Sequence, residues 1–191
     1  MATTQPIRNK QQVRALAEYY LKKGQLRNQV LIVLGLHTAL RISDLLRITW
    51  DDVYDFENKR IRTRIDIVEK KTRKAKSISL NRAAITALTM FANQSAQKGH
   101  LLIENAQTRK AISRIQAYRL IRAASEALKF QSRVSCHSLR KTFGYHVWKS
   151  GVSPAVIMEI YNHSSLSVTR RYLGVTQDDK DEVYINLSLI R

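Results

Sequence analysis

Cysteine is almost missing from this chain. Cys136 stands alone among 191 residues, which excludes an internal disulfide framework and any cysteine-rich zinc site. Proline occurs twice, at Pro6 and Pro154, and no Ser/Gly-rich linker is present, so neither an internal domain boundary nor a repeat is expected. No apolar run is long enough to span a bilayer: the longest, Val30 to Leu40, is broken by Gly35, His37 and Thr38. The opening residues Met1 to Pro6 lack a basic start followed by an apolar core, so no secretory signal is visible and a cytoplasmic chain is expected. There is no Gly-rich phosphate loop, no His-Glu-x-x-His and no paired-carboxylate pattern, so neither a nucleoside triphosphate nor a metal cofactor is expected. Acidic residues are also scarce. The 15 Asp and Glu face 33 Lys and Arg, leaving +18, which points to a polyanionic partner, nucleic acid first and a membrane surface second.

What is present suffices for one domain of ordinary size, since 44% of the residues are hydrophobic. Val13, Leu16, Ala17, Tyr20 and Leu21 recur every three or four residues, predicting a helix from about 9 to 23 that stops at Gly24. A second helix, from about 26 to 39, is apolar nearly all round, as a central core helix would be. It delivers Arg41 to the start of a short helix with Ser43 or Asp44 in its first turn. Between about 53 and 80, Ile61, Ile65 and Ile67 alternate with Arg62, Arg64 and Asp66, which reads as strands with a turn from Lys71 to Ala75. Helical patterns return at about 81–98, 112–128, 137–150 and 153–161, with Gly151 a stop and Pro154 a first-turn residue. Asp178, Asp179, Asp181 and Glu182 then favour the positive end of a last helix, on which Val183, Leu187 and Ile190 form an apolar stripe.

Cleaving a phosphodiester without a metal requires a nucleophile, positive charge on the non-bridging oxygens and a proton donor for the leaving oxygen. Five segments contain candidates in order: Thr38-Ala-Leu-Arg41-Ile-Ser-Asp44, Glu69-Lys-Lys71-Thr72, His137-Ser-Leu-Arg140, Asn162-His163-Ser-Ser and Arg170-Arg-Tyr172. Arg41 and Arg140 suit the clamp, because a planar guanidinium presents two parallel donors and stays charged. A charge directly after an apolar helix must also sit in a cleft or find a partner, which singles out Arg41. His137 and Arg140 lie three apart and share one side of a helical turn. Lys71 falls in the hairpin turn, where a lysine can reach over a bound phosphate, as can its neighbours Lys70, Lys74 and Lys76. His37, His100 and His146 read as structural histidines, and Cys136, although beside His137, as a buried small residue.

This ordered set resembles the catalytic domain of the tyrosine recombinases, the lambda-integrase type, over nearly the whole chain. The resemblance implies an α+β, mainly helical fold with a small antiparallel sheet or hairpin. It implies site-specific strand exchange on double-stranded DNA through a 3′-phosphotyrosyl intermediate, without metal or ATP. Tyr172 would be the nucleophile, with His137 its hydrogen-bond partner and base, and Arg41, Arg140 and His163 would hold the non-bridging oxygens. Lys71 would protonate the 5′-oxygen, and Asp44 would orient the site without touching phosphate.

The 40 residues before Arg41 already read as catalytic-domain helices and leave no room for the family's usual core-binding domain, so either a natural single-domain recombinase or a catalytic fragment is expected. A single catalytic domain over 1–191, with the tail 177–191 docking on a neighbouring protomer or on its own domain, is therefore expected. A homo-oligomer on DNA and an accessory or core-binding protein are the expected partners. Asn162 stands where the family more often has glycine. Two other readings stand beside it: a type IB topoisomerase, which shares much of this chemistry, and a regulator of the same charge using 152–172 as a helix-turn-helix, which would gain nothing from the ordered set ending at Tyr172.

Overall fold

The computed structural model describes residues 4–188. Its first helix, α1 (Lys10–Tyr19), begins where the Asn9 side chain accepts the backbone N–H groups of Gln11 and Gln12. It ends short of the expected Lys23, because the chain turns from Tyr20 to a left-handed Gly24 (φ 67°). Helix α2 (Leu26–His37) is buried on every side from Asn28 to Leu36. A Cβ at Gly35 would lie 2.7 Å from Leu139 Cδ1, so glycine sets the close approach of α2 to the later α7.

Ala39 then takes a left-handed conformation (φ 56°) while fully buried, and the chain enters α3 (Ile42–Leu45) with Arg41 at its N-cap. A left-handed alanine costs about 1 kcal/mol or more, so its surroundings must hold it there.

The strand region opens differently from the sequence pattern. Val53 is the last residue of a short helix, α4 (Trp50–Val53), started by a capping box in which Asp52 takes the Thr49 backbone N–H at 2.7 Å. Two antiparallel hairpins follow, β1 (Tyr54–Asp55) with β2 (Arg60–Ile61) and β3 (Arg64–Val68) with β4 (Ala75–Ser79). Ala75 pairs with Val68, so it belongs to a strand and the turn spans Glu69 to Lys74.

Helices α5 (Arg82–Ser95), α6 (Arg114–Ala127), α7 (Cys136–Lys149) and α8 (Pro154–Tyr161) are capped by Asn81, Ser113, Ser135 and Ser153. Then come α9 (Leu166–Leu173) and α10 (Gln177–Asn186). One apolar cluster joins α2, α5 and β3 through Leu34, Leu88 and Ile65. A second joins α1, α2, α6 and α7 through Leu16, Ile32, Ile121 and Leu139. A third, with Ile157, Tyr161 and Leu173, seats α8 and α9 on α7. Each fully buried leucine or isoleucine contributes about 2 kcal/mol of transfer free energy. The fold is thus mainly helical with small antiparallel sheets. No helix among the described residues is long and apolar enough to cross a membrane.

The N-terminal segment straps across the end of this arrangement. Ile7 donates its backbone N–H to Thr142 Oγ1 at 2.8 Å, His146 Nε2 pairs with the Ile7 carbonyl at 3.0 Å, and Arg8 donates to the Gly174 carbonyl at 2.5 Å.

Candidate active site

Four separate parts of the chain converge beneath the third cluster. Helix α7 supplies His137 and Arg140 on consecutive turns, as their spacing requires. Arg140 is only 2% exposed, and its guanidinium donates to the Ala39 carbonyl and, at 3.0 Å, to the Tyr161 carbonyl. Those two acceptors use two of its five N–H donors and fix its plane. The left-handed turn at Ala39 therefore has a purpose, since it aims a buried carbonyl at Arg140.

Tyr161 closes the support from below. Its hydroxyl donates to the Arg140 carbonyl at 2.6 Å, and the Arg140 guanidinium lies 4.5 Å from its ring centre. Its ring also packs 5.0 Å from His163 and 5.1 Å from Tyr172. A Cβ at Gly144 would overlap the Tyr161 hydroxyl, so only glycine leaves room for it.

Tyr172 sits one residue before the end of α9, on the face it shares with buried Thr169. The exposed Arg170 and Arg171 point elsewhere. Tyr172 Oη stands 3.4 Å from His137 Nδ1. Burial raises the Tyr172 hydroxyl above its ordinary value, although the charges of Arg140 and Arg41 oppose this, so the group is protonated at neutral pH. Burial, reinforced by Arg140, Lys141 and Arg41, holds His137 below its usual value and leaves it neutral and able to accept a proton. His163 is depressed more strongly, to about 4, by burial and then by Arg140 and Arg41. Its Nδ1 lies 3.1 Å from Thr169 Oγ1.

Arg41, exposed at 18% of its side chain, does find a partner: its Nη1 is 3.0 Å from Oε1 of the fully buried Glu69. The contact is one of charge only. Both atoms are buried and neither makes an aligned hydrogen bond, so charge alone holds Arg41 at this end of its guanidinium. Asp44, 3% exposed, accepts the Lys70 backbone N–H at 2.9 Å and thereby anchors the β3–β4 turn.

Lys71 is exposed on that turn, near enough for its charge to depress His163. Lys76, one strand residue further in, is the lysine drawn into the cluster. Its Nζ donates to the Ile160 carbonyl at 2.7 Å, and burial and the Arg140 charge lower it to about 8. The histidines read as structural are bonded within the protein: His37 to Asn81, His100 to Glu104, His146 to Ile7. Cys136, half-buried in the first turn of α7, is pushed up to about 11 by burial and is not a thiolate.

The sequence reading missed Glu69, Tyr161 and Thr169 as parts of the site. Only Asn162, set apart by its place before His163, carried a sequence signal toward them. A hollow of about 560 Å³ lined by Gln25, Arg27, Trp50, Phe91 and Arg109 contains none of the converging residues. Size is a poor guide here, because a polymer backbone lies across an open surface rather than inside a cavity. The cluster presents two guanidiniums, a tyrosine hydroxyl facing a neutral imidazole, and lysines at the rim. That set can bind a phosphodiester and attack it.

Comparison with known proteins agrees. The profile of the phage integrase family matches residues 7–178. The chain is 35% identical over 184 residues to "Probable integrase/recombinase YoeC" of Bacillus subtilis (strain 168), covering 96% of this chain and 97% of that one. It is 29% identical over 161 residues to the tyrosine recombinase XerD of Corynebacterium glutamicum, covering 83% of this chain and 52% of that one, about half its length. Among solved structures, XerH site-specific recombinase bound to palindromic difH substrate in a post-cleavage complex superposes with a TM-score of 0.75. There the identity is 19%, with 96% of this chain and 53% of that one covered, a likeness of fold.

Proposed function

The chain belongs to the phage integrase family of tyrosine recombinases, and on that footing we propose that it cleaves and rejoins double-stranded DNA at specific sites through a 3′-phosphotyrosyl intermediate. The observation that carries this reading is the approach of Tyr172 Oη to His137 Nδ1, 3.4 Å, beside the Arg140 guanidinium. Such a contact tightens when substrate is bound. Tyr172 Oη attacks phosphorus, and its proton passes to His137. The bond from phosphorus to the 5′-oxygen breaks, and that oxygen leaves as a hydroxyl with a proton from Lys71. Arg41, Arg140 and the neutral His163 take up the charge that develops on the non-bridging oxygens. A 5′-hydroxyl from a second duplex then reverses the step, so the bond energy is kept in the tyrosyl ester and no ATP is needed.

Assembly on DNA is the second half of the proposal. Asp179 near the start of α10 is held to its own domain by Arg8 at 3.5 Å and Lys149 at 3.2 Å. The far end of the helix is bare, with Val183, Tyr184, Ile185 and Leu187 between 61% and 80% exposed. Val183 and Leu187 belong to the stripe expected from the sequence, whose third member, Ile190, lies outside the described residues. A second copy on paired DNA sites covers this surface.

The test uses duplexes with a randomised central segment and a single nick. Wild-type protein should give a denaturant-resistant adduct, and the attached DNA can be sequenced to read the site. Tyr172→Phe should give none while still shifting DNA on a native gel. An adduct with the phenylalanine variant would assign the nucleophile elsewhere.

A further inference from the structure

Glu69 stands in the Lys71 segment of the ordered set with no role of its own, yet its side chain is 0% exposed and its two oxygens meet three separate parts of the site. Oε1 faces Arg41 Nη1 at 3.0 Å. Oε2 accepts the Thr72 hydroxyl at 2.7 Å and the Asn162 side-chain amide at 2.9 Å. Thr72 follows Lys71 in the β3–β4 turn, and Asn162 immediately precedes His163. One carboxylate therefore touches the arginine of the clamp, the turn of the proposed general acid and the segment of the phosphate-binding histidine. We propose that Glu69 is a positioning residue for the phosphodiester reaction, a latch that sets Arg41, Lys71 and His163 relative to one another. The inference rests on the function proposed above.

The chemistry of the contacts supports a latch over a chance buried acid. A buried carboxylate that lacked partners would be expelled or protonated. Burial does press Glu69 upward, but the Thr72 and Asn162 hydrogen bonds and the Arg41 and Lys76 charges outweigh it, and the group is held below its usual value. It is thus an anion at working pH, with Oε2 taking two hydrogen bonds and Oε1 facing the Arg41 charge. The departure from glycine at Asn162 also gains a reason. The residue is left-handed (φ 52°, ψ 43°), a conformation that glycine adopts freely and asparagine tolerates. Asparagine there supplies what glycine lacks, an amide reaching Glu69 across the site. The backbone of Glu69 completes the arrangement, since its N–H donates to the Lys74 carbonyl at 3.0 Å and its carbonyl accepts from Arg73 at 2.9 Å. The turn and the side chain move together.

Asn162→Gly is the informative variant, because it keeps the left-handed turn and removes one arm of the latch. Thr72→Val removes a second arm, and Glu69→Gln removes the charge. Two measurements are needed. Amide hydrogen exchange on the DNA-free protein should quicken across residues 70–74 in Asn162→Gly, although the altered residue lies on another segment. Adduct formation on the nicked randomised duplexes should slow by about a hundredfold, the scale of a misplaced reacting group, with duplex binding unchanged on a native gel. A 5′-thio leaving group, which needs no protonation, should restore part of that loss.

Unchanged exchange at residues 70–74 in Asn162→Gly would overturn the latch, as would wild-type adduct rates in both Asn162→Gly and Thr72→Val. If wild-type protein gives no adduct at all, the proposed function falls, while the exchange measurement still decides the latch.

Discussion

Thr169 Oγ1 lies 3.1 Å from His163 Nδ1, closer than the 3.4 Å that separates it from the Ser165 carbonyl. With the hydroxyl donating to Nδ1, the neutral ring carries its proton on Nε2, the nitrogen left to serve a phosphate oxygen. The hydroxyl has a single proton, and this tautomer is assigned by giving it to the shorter of its two contacts, Nδ1 over the Ser165 carbonyl. Thr169→Val should therefore slow cleavage with little effect on duplex binding, and Thr169→Ser should restore it. Single-turnover rates on nicked duplexes distinguish the two, and equal rates would remove Thr169 from the site.

The two arginines should fail differently. Arg41→Ala and Arg140→Ala should each lower cleavage by about two to three orders of magnitude, the loss typical of one preorganised donor. Arg140→Ala should also destabilise the fold by about 1–3 kcal/mol, because the buried carbonyls of Ala39 and Tyr161 lose their donors. Thermal melts of both variants check this. Equal melting temperatures would mean that those carbonyls find other partners.

Rescue chemistry separates the lysines. Lys71→Ala should cleave poorly and recover on a 5′-thio substrate, while Lys76→Ala, which removes the tie to the Ile160 carbonyl, should not recover. The reverse result would pass the acid role to Lys76, whose value near 8 suits proton transfer close to neutrality.

Acid should weaken the fold through His163. Its folded value, about 4, lies below the ordinary 6.5, so the unfolded chain binds the proton first as pH falls. The stability linked to this group is complete above 6.5 and is lost as pH drops from there toward about 4. Urea midpoints should fall between pH 7 and pH 5, and fall less in His163→Gln. Some loss remains in that variant, since burial also depresses His37, His137 and His146. Identical losses in both proteins would mean that His163 titrates normally.

DNA affinity should drop steeply with salt. Residues 59–76 hold nine basic side chains and residues 109–133 seven more, so several phosphates are neutralised. A log–log slope of about minus five or steeper is expected. A flat response would assign the +18 charge to another partner.

Helix boundaries were legible in the sequence wherever the signal is local. Asn9, Asn81, Ser113 and Ser153 each cap their own helix, and the three-residue spacing of His137 and Arg140 survives folding because a helix preserves it. Helix α4 was hidden because Val53 continues the apolar pattern of the strands, and the Thr49–Asp52 box that starts the helix lies just ahead of it. Glu69 and Asn162 are 93 residues apart, and Asp44 and Lys70 are 26 apart, so no spacing rule joins them. Tyr161 is masked differently. It is one of eight tyrosines, and only the packing of its ring against Arg140, His163 and Tyr172 marks it out.

The N-terminal strap has a kinetic consequence. Ile7 is 135 residues from Thr142, and Arg8 is 166 from Gly174, so these residues wait for partners made much later in synthesis. Helix α9 is fastened at its C-terminal end by that same Arg8. A nascent chain can bury α2 and build both hairpins while Tyr172 is still unplaced, so the proposed site is completed last.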